Sequence, residues 1–382
     1  MQATSNVSSN PAVSLITHFE SLPEPRQSGK VEHKLIDIII ITICAVICGA
    51  DTWVEVEEFG KEREDWLRKF LELPNGIPSH DTFGRVFSVL SSVEFQKCFS
   101  SWIEAVFSVT NGQVIAIDGK TLRKSYDRSS NKAAIHMVSA WATANRVVLG
   151  QVKTEEKSNE ITAIPELLRL LEVKNCIVTI DAMGCQKAIA SQVIAQEGDY
   201  VLGLKGNQGN LYEDVQLFFE YALKEKFKDI AHSYHEDIDA GHGRIETRRA
   251  WTVGDIDWLE GKDQWKGLNV IGMVEATREI DSKSSTERRF YIGSIENDAE
   301  TLGNAVRAHW GIENSLHWSL DVTFREDVCR VRKGNASENF AVIRHIALGL
   351  LQQEKTAKTG IKAKRFKAAL SADYLTKILT VN

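Results

Sequence analysis

The 382-residue sequence has only six cysteines, and none of them form a CxxC pair. Cys44, Cys48, Cys98, Cys176, Cys185 and Cys329 fall mostly in apolar runs. This excludes a paired-cysteine zinc site and indicates reduced core thiols in a cytoplasmic protein. A membrane-spanning run is also missing. The most apolar stretch, "IIIITICAVICGA" from Ile38 to Ala50, has thirteen residues, short of the roughly 20 a span needs, so it reads as a buried helix. A polar stretch with Pro23 and Pro25 precedes it, which is not the setting of a signal peptide. No low-complexity tract is present, and 43 % hydrophobic with 26 % charged residues is the balance of a soluble globular chain. Excess positive charge is absent as well. At a formal net charge of −6, any nucleic-acid surface must concentrate its Lys and Arg locally.

What is there divides by period. Residues 1–110 read as helical: "SSVEFQKCFSSWIEAVF" has Ser91 and Glu94 in capping-box spacing ahead of an apolar helical face. With the preceding "SHDTFGRVFSVL" it forms either a helix-turn-helix or a plainly packed helix pair. From residue 111 the pattern becomes α/β. "VIAIDGK", a hairpin over "AIHMVSAWATANRVVLGQVKT", a helix with Pro165 suited to its first turn, "CIVTIDAMGC", a second helix and "DYVLGLKGNQ" follow in the order βββαβαβ. That is the order of a ribonuclease-H-like mixed sheet, carried by residues 111–224. Residues 225–296 read as a β-rich insertion and 297–353 as the helical return of the same domain. Residues 354–382 form a basic tail in which Lys355 to Lys367 meet no acid.

Two buried strands each end in an acid, Asp118 and Asp181. An Asp after a strand is often a turn or helix cap. The βββαβαβ order, however, makes these two strands parallel neighbours, so their carboxylates come close at the sheet edge where α/β proteins bind ligands. Adjacent carboxylates disfavour each other's ionisation and call for a shared proton or bound cations. Oxygen donors of this hardness suit Mg²⁺, with Mn²⁺ as substitute. A third acid would complete a two-metal site for phosphoryl transfer. In "AHWGIENSLHW", Glu313 has His309 and His317 four residues to either side, near one helical face. The same segment also reads as an amphipathic helix with Trp310, Leu316 and Leu320 inward. Gly311 inside it suggests close approach to the backbone.

These residues and "RQSGKVEHKLIDIIIITICAVICGA", "AIDGKTLRKSYD", "TEEKSNEITAIPELL", "TIDAMGCQKAIA", "LKGNQG", "HGRIETR", "HWGIENSLHWSLDV" and "RKGNASENFAVIRHIAL" make the chain resemble the insertion-sequence DDE transposases, in particular the H-repeat-associated, Rhs-element-linked group. The resemblance covers nearly the whole chain. It implies metal-dependent cleavage of element ends and strand transfer into target DNA, with Asp118, Asp181 and Glu313 as catalytic, Mg²⁺-holding acids. Double-stranded DNA is the implied partner, bound by a homodimer in the bacterial cytoplasm at the nucleoid, with no membrane involved. The helix signature of the wider superfamily, a Tyr, an Arg and a Lys around the Glu, reads Val306, His309 and Leu320 here. The phosphate contact therefore passes to His309, and the Lys role to His317 or a basic residue elsewhere. A silent DNA-binding remnant and a nuclease of the same fold share these motifs.

Lys120, Arg123 and Lys124 beside the first Asp, Lys205 at the end of the last strand, and Arg332 and Lys333 after the Glu helix are the candidate DNA contacts. Arg244, Glu246 and Arg248 alternate onto one strand face, which reads as a salt-bridged surface. Trp251, Trp258 and Trp265 read as core, with base stacking as the other use. End recognition falls to the helical residues 1–110, since a helix can enter the major groove.

Overall fold

The computed structural model describes residues 12–106, 112–123, 125, 134–154, 160–241, 243–280 and 283–380. The helical start is α1 (Val13–Phe19), α2 (Leu35–Cys48), α3 (Trp53–Glu62), α4 (Glu64–Leu67), α5 (His80–Val89) and α6 (Ser92–Val106). The apolar run is the buried helix α2, every residue from Ile38 to Ile47 being shielded from solvent. Gly49 ends it at φ +116°, a left-handed conformation open to glycine, donating back to Ala45 and Val46. Ser91 Oγ accepts from the Glu94 N–H at 3.3 Å, as the cap spacing predicts. Both α5 and α6 turn their apolar faces into the core, which favours the plainly packed pair over a free helix-turn-helix.

The sheet begins with β1 (Val114–Thr121), β2 (His136–Ala142) and β3 (Val147–Lys153), followed by α7 (Glu160–Arg169), β4 (Ile177–Ile180), α8 (Lys187–Ala195), β5 (Asp199–Leu204) and α9 (Asn210–Lys224). Helix α7 starts five residues before Pro165, so the proline lies inside the helix instead of in its first turn. Then come β6 (Ser233–Gly241), β7 (Arg244–Val253), β8 (Val270–Ile280), β9 (Lys283–Gly293), α10 (Ala299–Gly311), α11 (Ala336–Gln353), α12 (Ile361–Leu370) and α13 (Ala372–Leu379). The strand order is β3-β2-β1-β4-β5-β9-β8-β7-β6. Strands β1 and β4 are parallel, as are β4 and β5, while β9 joins β5 antiparallel with Leu202 opposite Ile292. The β-rich segment thus extends the central sheet instead of standing apart from it. Trp251 and Trp265 are buried, and Trp258 is half exposed, stacked on Phe218 at 5.0 Å.

Helices α1–α6 share one continuous apolar core with the sheet and with α11–α13. The basic tail is folded, not a free arm. Buried Lys364 donates to the carbonyl of Leu351 at 2.9 Å, and buried Arg365 donates to Val46 O at 2.9 Å. Only part of its charge, such as Lys355 and Lys362, faces solvent. Glu354 docks this segment: Tyr374 Oη donates to it at 2.8 Å, and the N–H groups of Thr356 and Ala357 do so at 2.9 and 3.2 Å. Burial pushes Glu354 upward, but these bonds outweigh it and hold the carboxyl at about 2. A depressed carboxyl stabilises the fold above its unfolded value and loses that contribution as pH falls through the folded one. Acid unfolding should therefore steepen between about pH 4.5 and 2, and Glu354→Gln should flatten that limb in a melting-temperature series. No single helix among the described residues is long and apolar enough to cross a membrane.

Candidate active site

In the β1–β4 register Ile117 lies opposite Ile180, which places the next residues, Asp118 and Asp181, side by side. Strand β1 continues past Asp118 to Thr121, paired with β2, so its acid sits at the edge of β4 but inside the β1–β2 ladder. Asp181 also caps its turn, Oδ1 accepting from Met183 N at 2.9 Å. The cap reading of this residue therefore holds. Glu313 follows α10, where the helix widens into π-helical turns over Ile312–His317 and again over Ser319–Thr323. Such widenings re-aim side chains and are frequent at functional sites. Gly311 marks the transition, and open space lies where its Cβ would be, so the expected close approach to its backbone is not found.

Asp118, Asp181 and Glu313 line one cleft of about 400 Å³, together with Lys205 and His309. Burial pushes Asp118 up to about 7; the Gly119 N–H opposes this, while the carboxylates of Glu160, Asp181 and Glu313 add to it. His309 Nδ1 is 3.1 Å from Thr179 Oγ1, and burial lowers its basicity. His317 Nδ1 stands 3.6 Å from Asp118 Oδ2, too far for a hydrogen bond. Burial first, then Lys120, pushes His317 down to about 4. Two largely neutral imidazoles therefore flank the carboxylates.

Lys120 is turned inward. Its amine reaches back to Asp321 at 2.5 Å and to fully buried Glu326 at 2.7 Å, with Arg344 3.5 Å from the other Glu326 oxygen. A lysine two residues after Asp118 on the same strand face is drawn inward because Glu326 would otherwise be a buried charge with Arg344 as its main support. Arg123 is exposed, its Nε 3.3 Å from Asp327, and Lys205 is exposed at the cleft mouth. Arg332 and Lys333 sit on the loop before α11 and are not among the residues lining the cleft. Lys124 lies outside the described residues.

Glu160, in the first turn of α7, was not predicted for the site. Its Oε1 is 2.9 Å from His136 Nε2, and His136 Nδ1 is 2.9 Å from Thr121 Oγ1. Sequence periodicity carries no signal for this, because it depends on where the hairpin delivers His136. A Cβ on Gly119 would overlap both Glu160 Oε1 and His136 Nε2. Gly119→Ala should cost about 1–3 kcal/mol, as overpacking does, and Glu160→Ala in the same chain should recover part of it, since the overlap with His136 remains. Urea midpoints of the three variants measure this.

Against known proteins, the model of the transposase DDE domain matches residues 110–350 and that of the DDE_Tnp_1-associated region matches residues 16–103. The chain belongs to the DDE transposase family. It is 47 % identical over 371 residues to "Putative transposase YncI" of Escherichia coli O157:H7, covering 96 % of this chain and 94 % of that one. With "H repeat-associated putative transposase YhhI" of Escherichia coli (strain K12) it shares 44 % over 376 residues, covering 96 % and 97 %. A solved piggyBac transposase synaptic complex with hairpin DNA aligns at TM-score 0.44 and 11 % identity, covering 96 % of this chain and 77 % of that one.

Donor chemistry at the site fits a hard cation. Three carboxylates share the cleft, and the charges of Glu160, Asp181 and Glu313 reinforce the upward push that burial gives Asp118. Among the described residues, no three His, Cys, Asp or Glu side chains are already grouped to hold an ion.

Proposed function

We propose that this DDE-family transposase cuts DNA at element ends and joins them to target DNA, with Asp118, Asp181 and Glu313 as the catalytic triad. The observation that carries the reading is the convergence of these acids, with 62 and 131 residues lying between them along the chain, on one cleft. The order β3-β2-β1-β4-β5 with parallel β1, β4 and β5 supports a ribonuclease-H-like core. Asp118 and Asp181 would hold Mg²⁺, or Mn²⁺ in its place, with Glu313 closing the set. When bound, such ions supply an activated oxygen nucleophile and stabilise the leaving oxygen. Lys205 at the cleft mouth and His309 inside it are positioned to contact the scissile phosphate and its neighbours. With His309 and His317 largely neutral, little positive charge from them competes with cations for the carboxylates.

Double-stranded DNA is the substrate in this reading, with a homodimer pairing two ends. The amino-terminal helices take end recognition. Because α2 belongs to the central core, that assignment is tested by substitutions on the exposed face of α5, such as Arg85→Ala, and not by truncation. The test of the whole reading is incubation of the chain with DNA carrying the flanks of its coding sequence, in Mg²⁺ and in EDTA. Cuts at the ends and joined products in Mg²⁺ alone are expected. Cutting without joining would favour a nuclease, and binding without cutting a silent remnant.

A further inference from the structure

Beside the carboxylate cleft runs a larger groove of about 1010 Å³, between the face of the β6–β9 hairpins and α10. Glu287, Arg289, Tyr291, Val306 and Trp310 line both, so one opens into the other. Six arginines, Arg244, Arg248, Arg249, Arg278, Arg289 and Arg307, line the groove against three carboxylates, Asp237, Glu246 and Glu287. In a chain of net charge −6 this is a local concentration of guanidinium groups.

Pairing within the groove is uneven. Buried Glu246 serves Arg244 at 3.0 Å, Arg278 at 2.9 Å and Arg248, whose Nη1 also stands 4.0 Å from Asp237 Oδ2. One carboxylate cannot occupy the fifteen or so N–H donors that three guanidinium groups carry, and Arg248 Nη1 is enclosed with no hydrogen-bond partner. Arg249 reaches Glu236 at 2.6 Å and Glu275 at 3.3 Å, neither of which lines the groove. Arg307, on the helix that leads to Glu313, pairs with Asp237 and with Asp239 at 3.0 Å. Arg289 lies over the Trp310 ring at 4.1 Å, at the junction with the carboxylate cleft. The carboxylates hold the planar forks along the groove, whose guanidinium groups carry more N–H donors than these carboxylates can take up, an arrangement that suits bidentate phosphate binding.

Resting on the transposase reading, we infer that this groove binds the sugar–phosphate backbone of the DNA strand that runs out of the carboxylate cleft, from Arg289 and Trp310 along the β7–β9 face. Arg248 and Arg307 contact its phosphates. The face holding Arg244, Glu246 and Arg248 is then both a salt-bridged surface and a DNA contact.

The test uses the full-length protein, a fluorescent mixed-sequence DNA duplex and anisotropy titrations in EDTA over a salt series. Arg248→Ala leaves Glu246 with two guanidinium partners, and Arg307→Ala frees only the half-exposed Asp237 and Asp239, so folding should persist; melting temperatures check it. Each substitution should weaken binding about 5- to 10-fold. The pair together should lower the slope of log affinity against log salt by between one and two, as loss of two phosphate contacts at about 0.7–0.9 each requires. Unchanged affinity and slope in folded variants would overturn the inference, as would weakened binding with an unchanged slope. The triad is tested separately: cutting by Asp118→Asn in Mg²⁺ would refute the catalytic assignment and leave the EDTA titrations standing.

Discussion

Asp118→Asn or Asp181→Asn should lower Mg²⁺-dependent cutting of element ends by roughly 10²–10³-fold or more, the scale on which loss of a preorganised electrostatic contact slows an enzyme, while duplex binding in EDTA stays within about twofold. Gel assays of nicked and joined products, read beside anisotropy titrations, measure both. The Asn variant should also be no less stable than the parent at pH 8. Asp118 is held up near 7 by burial, and the surrounding carboxylates reinforce this. Between its ordinary value and 7 the folded chain therefore binds more protons at this residue than the unfolded chain does. Stability from this group falls as pH rises through that window. Asp118→Asn removes the titration, so its melting temperature should decline less between pH 5 and 8. Wild-type cutting by either Asn variant would remove the acids from the chemistry.

Much of the site was legible because it is tied to strand ends. Strand β4 stops just before Asp181, and although β1 runs on past Asp118 to Thr121, the parallel register of Ile117 with Ile180 sets the two acids next to each other. Glu313 was legible from the spacing of His309 and His317 around it, but the π-helical widening that carries it was not. A single inserted residue per turn leaves the apolar pattern of Ile312, Leu316 and Leu320 unchanged. Lys120 illustrates the converse. Polar residues toward the end of a buried strand look solvent-facing, and only the fold shows that Asp321 and Glu326, some 200 residues later in sequence, turn this one inward.

The sheet was legible strand by strand but not in its continuity. Alternating residues in β6–β9 are the same whether the hairpins form their own sheet or add to another. The deciding contact is β5 with β9, a pairing between strands nearly 90 residues apart that local patterning cannot carry. The packing of the tail was not legible for a related reason. A run of lysines without acids resembles a free arm, yet Lys364 and Arg365 spend their charge on backbone carbonyls at helix ends, partners that a sequence does not display.

Lys120→Met should destabilise the chain by about 3–5 kcal/mol, the range for breaking one side of a buried ion pair. Lys120 and Glu326 are 12 % and 2 % exposed at their side chains, so solvent cannot take over the lost charge. Arg344, 3.5 Å from Glu326, compensates in part and favours the lower end. Adding Glu326→Gln should recover part of the loss, because the charge that needed Lys120 is then gone, although Asp321 still lacks its partner and buried Arg344 loses its carboxylate. Urea unfolding of the parent, both single variants and the double gives the coupling between the two residues. Lys120 joins β1, which carries Asp118, to the segment that follows Glu313. Its loss should therefore also slow cutting more in Lys120→Met than in the double variant, if the ionic contact and not the lysine itself keeps the acids together. A variant of unchanged stability with a shallower salt dependence of DNA binding would instead return Lys120 to the phosphate-facing role that its place in the sequence suggests.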